Sequence, residues 1–300
     1  MTESVWGIDL GGTKIEGVVL PSAASTDPVC RLRVPTEAEK GYDHIRSQVR
    51  ELVEAMSREA GSTPSAIGFG TPGALDPDTM RIKNSNTTCL IGRPFQRDIA
   101  RDLGVEVVLA NDANCFALAE ARLGAARGAE TVFGIILGTG VGGGIVIGDR
   151  ALFGRQGIAG EWGHNILDPQ GPDCYCGRKG CVETLLSGPH LEKHYTGLSG
   201  QQLSLAEIAT LHQRGGNPHA TATMERLATY FGRAVASVIN ILDPHVVVLG
   251  GGVSNIGLLY SEGVREAEKW VFNDRMHTRI AKNHLGDSAG VFGAAMLVAA

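Results

Sequence analysis

Apolar residues fall in short runs punctuated by glycine, and the period of those runs changes along the chain. Residues 5–10 and 15–20 are apolar stretches joined across Gly11-Gly12, which predicts two strands of a hairpin. Residues 29–34 predict a third strand. Ile45, Val49, Leu52, Val53 and Met56 recur at helical spacing, so 42–60 is predicted as a helix stopped by Gly61. Residues 66–70 read as a strand ending in the turn Thr71-Pro72-Gly73, 94–103 as a helix and 105–110 as a buried strand. A further helix begins at Asp112. The order up to residue 115 is therefore β-β-β-α-β-α-β.

The second half repeats the theme. Strands at 131–137 and 143–147 flank another glycine loop, and helices follow at 204–213 and 219–242. The longer helix carries Met224, Leu227, Phe231, Val235, Val238 and Leu242 on one face. A buried strand, 246–249, runs into Gly250-Gly251-Gly252, and the apolar segment 289–300 reads as a buried helix. Both halves open with strand, glycine turn and strand. This predicts an internally duplicated α/β fold of two lobes around a ligand cleft, without a solenoid-type period. The N-terminal lobe is expected to hold 1–115 plus 289–300, and the C-terminal lobe 116–288.

Composition narrows the class. A chain of 300 residues suits about two domains, and 43% hydrophobic residues suffice for substantial cores. A net charge of −5 argues against a nucleic-acid surface. No apolar run approaches the roughly 18 residues of a membrane span. No signal peptide is read at the start, and the six cysteines show no disulfide framework, so a cytoplasmic protein with reduced thiols is expected.

The densest chemistry lies between His164 and Glu183. His164, Cys174, Cys176 and Cys181 stand at H-x9-C-x-C-x4-C spacing, with Gly177 and Gly180 permitting tight turns. Thiolate and imidazole are the preferred donors of tetrahedral zinc, and four protein ligands leave no open position, so a structural Zn2+ site is expected.

Three glycine loops suggest phosphate chemistry. In Asp9-Leu10-Gly11-Gly12-Thr13-Lys14, the glycines allow close approach of an anion, Thr13 adds a donor and Lys14 a cation. Asp9, at a strand end, is a candidate for Mg2+ through water. A plain hairpin turn would look the same. Gly138-Thr139-Gly140 opens a run of five glycines in seven positions, which a backbone phosphate nest would explain. Gly251 and Gly252 suit close approach of a nucleotide base or ribose, or a simple strand-to-helix turn. Neither of the first two loops fits the Walker or dinucleotide fingerprints.

Asn111-Asp112 follows a buried strand, where α/β folds place ligands. Asp112 is a candidate base for a hydroxyl attacking a γ-phosphate, with a helix N-cap as the plainer alternative. Glu161, His164 and Glu183 offer partners for sugar hydroxyls, and the second ring nitrogen of His164 is available for a ligand while the first binds metal. Trp162 and Tyr175 are candidates for sugar stacking, with packing the more ordinary use.

Together DLGGTK (9–14), TPG (71–73), NDAN (111–114), LGTGVGGG (137–144), EWGH (161–164), CYCGRKGCVE (174–183) and LGGG (249–252) resemble the ROK family of sugar kinases and repressors across essentially the whole chain. The resemblance implies the actin-like ATPase fold with ATP between the lobes. It implies Asp112 as catalytic base, and Gly73, Asn111, Asp112, Glu161, His164 and Glu183 around the sugar, with Asn86 as an additional contact. It further implies Asp9, Gly11, Gly12, Thr13, Gly138, Thr139 and Gly140 around phosphates and Mg2+, and zinc on the four residues already named.

Family repressors carry a helix-turn-helix domain ahead of the first glycine loop. Only eight residues precede Asp9 here, so a kinase is expected. A sensor without catalysis would be expected to lose the base, yet Asp112 is present. The segment 83–87 and the cysteine motif are most similar to fructokinases, some of which accept mannose. N-acetylglucosamine kinases usually carry Phe at the position of Trp162, and glucokinase is a further alternative. The expectation is transfer to the 6-hydroxyl of a free hexose, fructose first, by a homodimer.

Overall fold

The computed structural model describes residues 4–299. Its elements are β1 (Val5–Leu10), β2 (Lys14–Leu20), β3 (Cys30–Pro35), α1 (Tyr42–Ala60), β4 (Ala66–Thr71), β5 (Ala74–Asp76), β6 (Arg81–Lys83), α2 (Phe95–Leu103), β7 (Glu106–Asn111) and α3 (Asp112–Arg122). They continue with β8 (Thr131–Leu137), β9 (Val141–Ile147), β10 (Arg150–Ala151), α4 (Val182–Leu186), α5 (Gly188–Ser199), α6 (Leu205–Arg214), α7 (Pro218–Leu242), β11 (Val246–Gly250), α8 (Glu262–Glu268), β12 (Arg279–Lys282) and α9 (Ala289–Met296). No helix among the described residues is long and apolar enough to cross a membrane.

Two compact units result. One holds Met1–Gly128, Gly144–Ala159 and His284–Ala300, and the other Ala129–Gly143 and Gly160–Asn283. The segments 116–128, 144–159 and 284–288 were expected with the second lobe but lie in the first unit, the last held there by the His284 and Leu285 amides donating to Glu120 of α3. The reason is packing: α3 continues past residue 115 alongside α9, and residues of β9 beyond Gly143 pack in the first unit.

The duplication is visible in strand order. One five-stranded sheet runs β3-β2-β1-β4-β7 and the other β10-β9-β8-β11-β12. Numbered within each sheet, both read 3-2-1-4-5. In each, the fourth strand runs parallel to the first and to the fifth. Parallel neighbours end at the same edge, so β1, β4 and β7 deliver their following loops together. Asp9 pairs with Gly70 and Thr71 with Asn111 in that register. In the other sheet Leu249 pairs with Ile135 and Gly250 with Ile136. The loops after β8 and β11 therefore also emerge side by side.

The core of the first unit explains its glycines. Helix α1 lays Ile45, Val49, Leu52 and Met56 against Trp6, Ile8 and Ile15, and Gly17 leaves room for the Met56 thioether. On the other face α9 lies with its backbone directly on the sheet. A Cβ at Gly68 would overlap the Ala294 carbonyl, and one at Gly293 would overlap the Cys115 carbonyl of α3. Gly68→Ala should therefore destabilise the protein by at least the ~1–3 kcal/mol typical of overpacking, because backbone cannot move aside as a side chain can. Urea unfolding checks this, and a midpoint equal to wild type would contradict it.

Candidate functional site

In the first unit the candidate residues collect at the ends of β1, β4 and β7. The turn after β1 is closed by the Gly11 amide donating to the Lys14 carbonyl at 2.9 Å, and Thr36 Oγ1 donates to the Gly11 carbonyl at 2.7 Å. Neither Gly11 nor Gly12 has a positive φ. A Cβ at Gly12 would meet nothing nearer than 3.9 Å. The fold itself thus leaves Gly12 open to a side chain, as expected where a ligand rather than protein approaches the backbone. Lys14 Nζ lies 3.1 Å from the fully buried Glu16, which also pairs with Arg31 and Arg33.

Asp9, next to last in β1, stands in the same place. Its carboxyl pKa is pushed up to about 6 by burial and then by the charges of Asp112 and Glu16, with Lys14 opposing. A buried carboxylate beside other acids suits a hydrated cation. Gly73 is a glycine for two reasons: its φ is +98° and a Cβ would lie 2.9 Å from that of Ser85. This contact brings the turn after β4 against the loop bearing Asn86, which is exposed.

At the end of β7 the labour is divided. Asn111, not Asp112, is the N-cap of α3: its Oδ1 accepts from the Asn114 amide at 2.8 Å. Asp112 is the first helical residue and its Oδ1 accepts from the Ala113 amide at 2.8 Å. The Asp112 carboxyl is open to solvent yet set among dense protein, and this desolvation raises its pKa despite the Ala113 amide. A raised pKa makes a carboxylate a better proton acceptor.

The second unit holds the other loops. The glycines after β8 have separate causes. Gly138 would tolerate a Cβ, whereas one at Gly140 would lie 2.7 Å from Glu183 Oε2 and one at Gly143 would meet Trp162 and Phe133. Only part of that run, then, is left for a phosphate. Gly251 has φ +80° and backs onto Leu137, while Gly252 opens outward. Gly138, Thr139, Gly188, Glu192, Gly252 and Asn255 line part of a cavity of about 690 Å3, large enough for a nucleotide moiety. Helix α5, which supplies Gly188 and Glu192, was absent from the sequence reading. Pro189 at its first turn and Gly200 at its end were the signals.

Glu183 is buried and its Oε2 accepts from the Val141 amide at 3.0 Å, tying α4 to the loop after β8. Trp162 is core: Nε1 donates to the Gly142 carbonyl at 3.2 Å and the ring meets Phe133 edge-on. Tyr175 is the opposite, 83% exposed.

His164, Cys174, Cys176 and Cys181 bring one ligand atom each within 4.8 Å of one another. Cys174 Sγ is 3.6 Å from His164 Nδ1, and Cys176 Sγ is 3.6 Å from Cys181 Sγ. A tetrahedron built on zinc–sulfur bonds of ~2.3 Å has edges of about 3.8 Å, so the spacing fits a metal and is far too long for a disulfide.

The paired 3-2-1-4-5 sheets with glycine loops at their strand ends define an actin-like ATPase fold. Residues 5–300 match the ROK family, and the chain belongs to it. It is 36% identical to the N-acetyl-D-glucosamine kinases of Yersinia pseudotuberculosis and Pectobacterium atrosepticum, over 97% of this chain and 98% of theirs. Among solved structures it is similar to a ROK hexokinase from Thermus thermophilus, with TM-score 0.88 and 36% identity, covering 98% of this chain and 97% of that one. A ROK family glucokinase from Streptomyces griseus, in complex with glucose and AMPPNP, has TM-score 0.76 and 30% identity, covering 98% and 99%.

Two outcomes follow from this geometry. The Asp9 pKa is higher folded, about 6, than the ordinary 3.8, so its protonated form favours folding below pH 3.8 and that stability is lost as pH rises through 6. Asp9→Asn should stabilise the protein at pH 7 by up to about 3 kcal/mol while weakening nucleotide turnover. Thermal melts across pH 4–8 check this, and a variant no more stable at pH 7 than wild type would contradict it. Cys176→Ala should lower bound zinc and melting temperature together. Undiminished metal content by mass spectrometry would remove Cys176 from the ligand set.

Proposed function

We propose that this chain is an ATP-dependent kinase that transfers the γ-phosphate to the 6-hydroxyl of a free hexose. The observation that carries this reading is Asp112: a solvent-open carboxylate of raised pKa at the end of β7, relieved of capping by Asn111. Asp112 accepts the proton of the attacking hydroxyl as the new oxygen–phosphorus bond forms and the bond to ADP breaks. Positioning dominates such a loose transition state. Gly73, Asn86, Asn111, Glu161, His164 and Glu183 hold the sugar. Gly11, Gly12, Thr13, Lys14, Gly138, Thr139 and Gly140 approach the phosphates, and Gly251 and Gly252 the base or ribose. Asp9 would hold Mg2+, which would supply charge neutralisation at the phosphates. His164, Cys174, Cys176 and Cys181 would hold a structural Zn2+, which would fix the orientation of the His164 ring. The enzyme works in the cytosol, where ligand thiols stay reduced, and as a homodimer by family resemblance.

N-acetylglucosamine stands ahead of fructose as substrate. The named relatives at 36% identity are N-acetyl-D-glucosamine kinases, and the Trp162 that separated the sequence from them packs inside the core. A buried residue is a poor discriminator of sugars. Glucose, fructose and mannose follow.

ADP release with Mg2+ and ATP, scanned across these four sugars, tests the reading. The highest kcat/KM is expected with N-acetylglucosamine. Asp112→Asn should keep the fold and lower turnover roughly 10²–10⁴-fold. Preference for fructose would overturn the substrate assignment. Absence of turnover on every sugar would overturn the kinase reading in favour of a sensor.

A further inference from the structure

Tyr175 lies between two metal-ligand cysteines, yet its side chain points away from the core. Its hydroxyl is 3.0 Å from His164 Nε2, and its ring meets the imidazole edge-on with centroids 5.2 Å apart. His164 Nδ1 belongs to the ligand cluster, 3.6 Å from Cys174 Sγ. A neutral imidazole carries one proton, and when Nδ1 binds metal that proton sits on Nε2. With metal on Nδ1, the Nε2–H group would donate to the Tyr175 oxygen.

A single N–H cannot make two full hydrogen bonds. If a sugar hydroxyl is to be held by His164 Nε2, Tyr175 must first let go. Its 83% exposure means that the ring can swing out without opening the core. We propose that Tyr175 is a latch on the sugar site, holding Nε2 of His164 until an entering sugar hydroxyl takes its place. The inference rests on the reading of His164 as a sugar ligand. Tyr175 is thus a positioning residue, acting through His164, and it weakens sugar binding by the worth of the bond that must break.

Tyr175→Phe removes the competing oxygen and keeps the ring. Sugar should bind about fivefold more tightly, the factor that one neutral hydrogen bond supplies. The test is calorimetric titration of N-acetylglucosamine and glucose into zinc-loaded wild type and Tyr175→Phe, with zinc content, melting temperature, KM and kcat measured alongside. The expected result is a lower Kd and KM, the gain confined to KM, with zinc content held. Unchanged or weaker binding by the variant would overturn the latch, and so would loss of zinc, which marks a purely structural partner of the loop. Wild type that binds neither sugar would overturn the sugar-site reading and the latch with it. Wild type that binds while the variant is unchanged overturns the latch alone.

Discussion

Close approach of main chains fixes where the reacting groups stand. In the first unit, glycines at 7, 68 and 293 let the backbone of α9 lie on β1 and β4 and against α3. A side chain at any of them would push the helix away from β1, which carries Asp9, or from α3, which begins with Asp112. The start of α9 is equally tight: a Cβ at Gly290 would stand 2.8 Å from Asp9 Oδ2. Burial in this tight contact is the first cause of the raised Asp9 pKa. The second unit uses the same device, with Gly251 against Leu137 and Gly163 against Val141.

Much of this was legible in the sequence. The hairpin, α1, α7 and the buried strands announced themselves by period, and the cysteine spacing matches a cluster whose ligand atoms converge. What the sequence hid is mostly short or cross-chain. The hairpin of β5 and β6 has three residues per strand, and β12 has four, too few to show a period. Helices α4 and α5 follow the cysteine loop without a break, so their start was masked by the motif before them. The glycine run after β8 looked uniform, yet Gly138 faces open space while Gly140 and Gly143 face protein. Composition cannot separate these, because a ligand and a neighbouring backbone demand the same missing side chain.

The same limit applies to polar residues. Asp112 alone looked like an ordinary cap, and only the hydrogen bond from Asn114 to Asn111 shows which residue has that task. Trp162 and Tyr175 looked equivalent as aromatic candidates. One proves to be core and the other solvent-facing with its hydroxyl on His164. Sequence supplies the chemical groups, whereas burial and hydrogen bonding decide which remain available to a substrate.

The central claim is that Asp112 directs a sugar hydroxyl onto the γ-phosphate. Identification of the phosphorylated atom tests it most directly. Phosphorus NMR of the product formed from N-acetylglucosamine should show one phosphomonoester coupled to the two protons of carbon 6. A phosphate on the anomeric oxygen, or inorganic phosphate as the sole product, would contradict it.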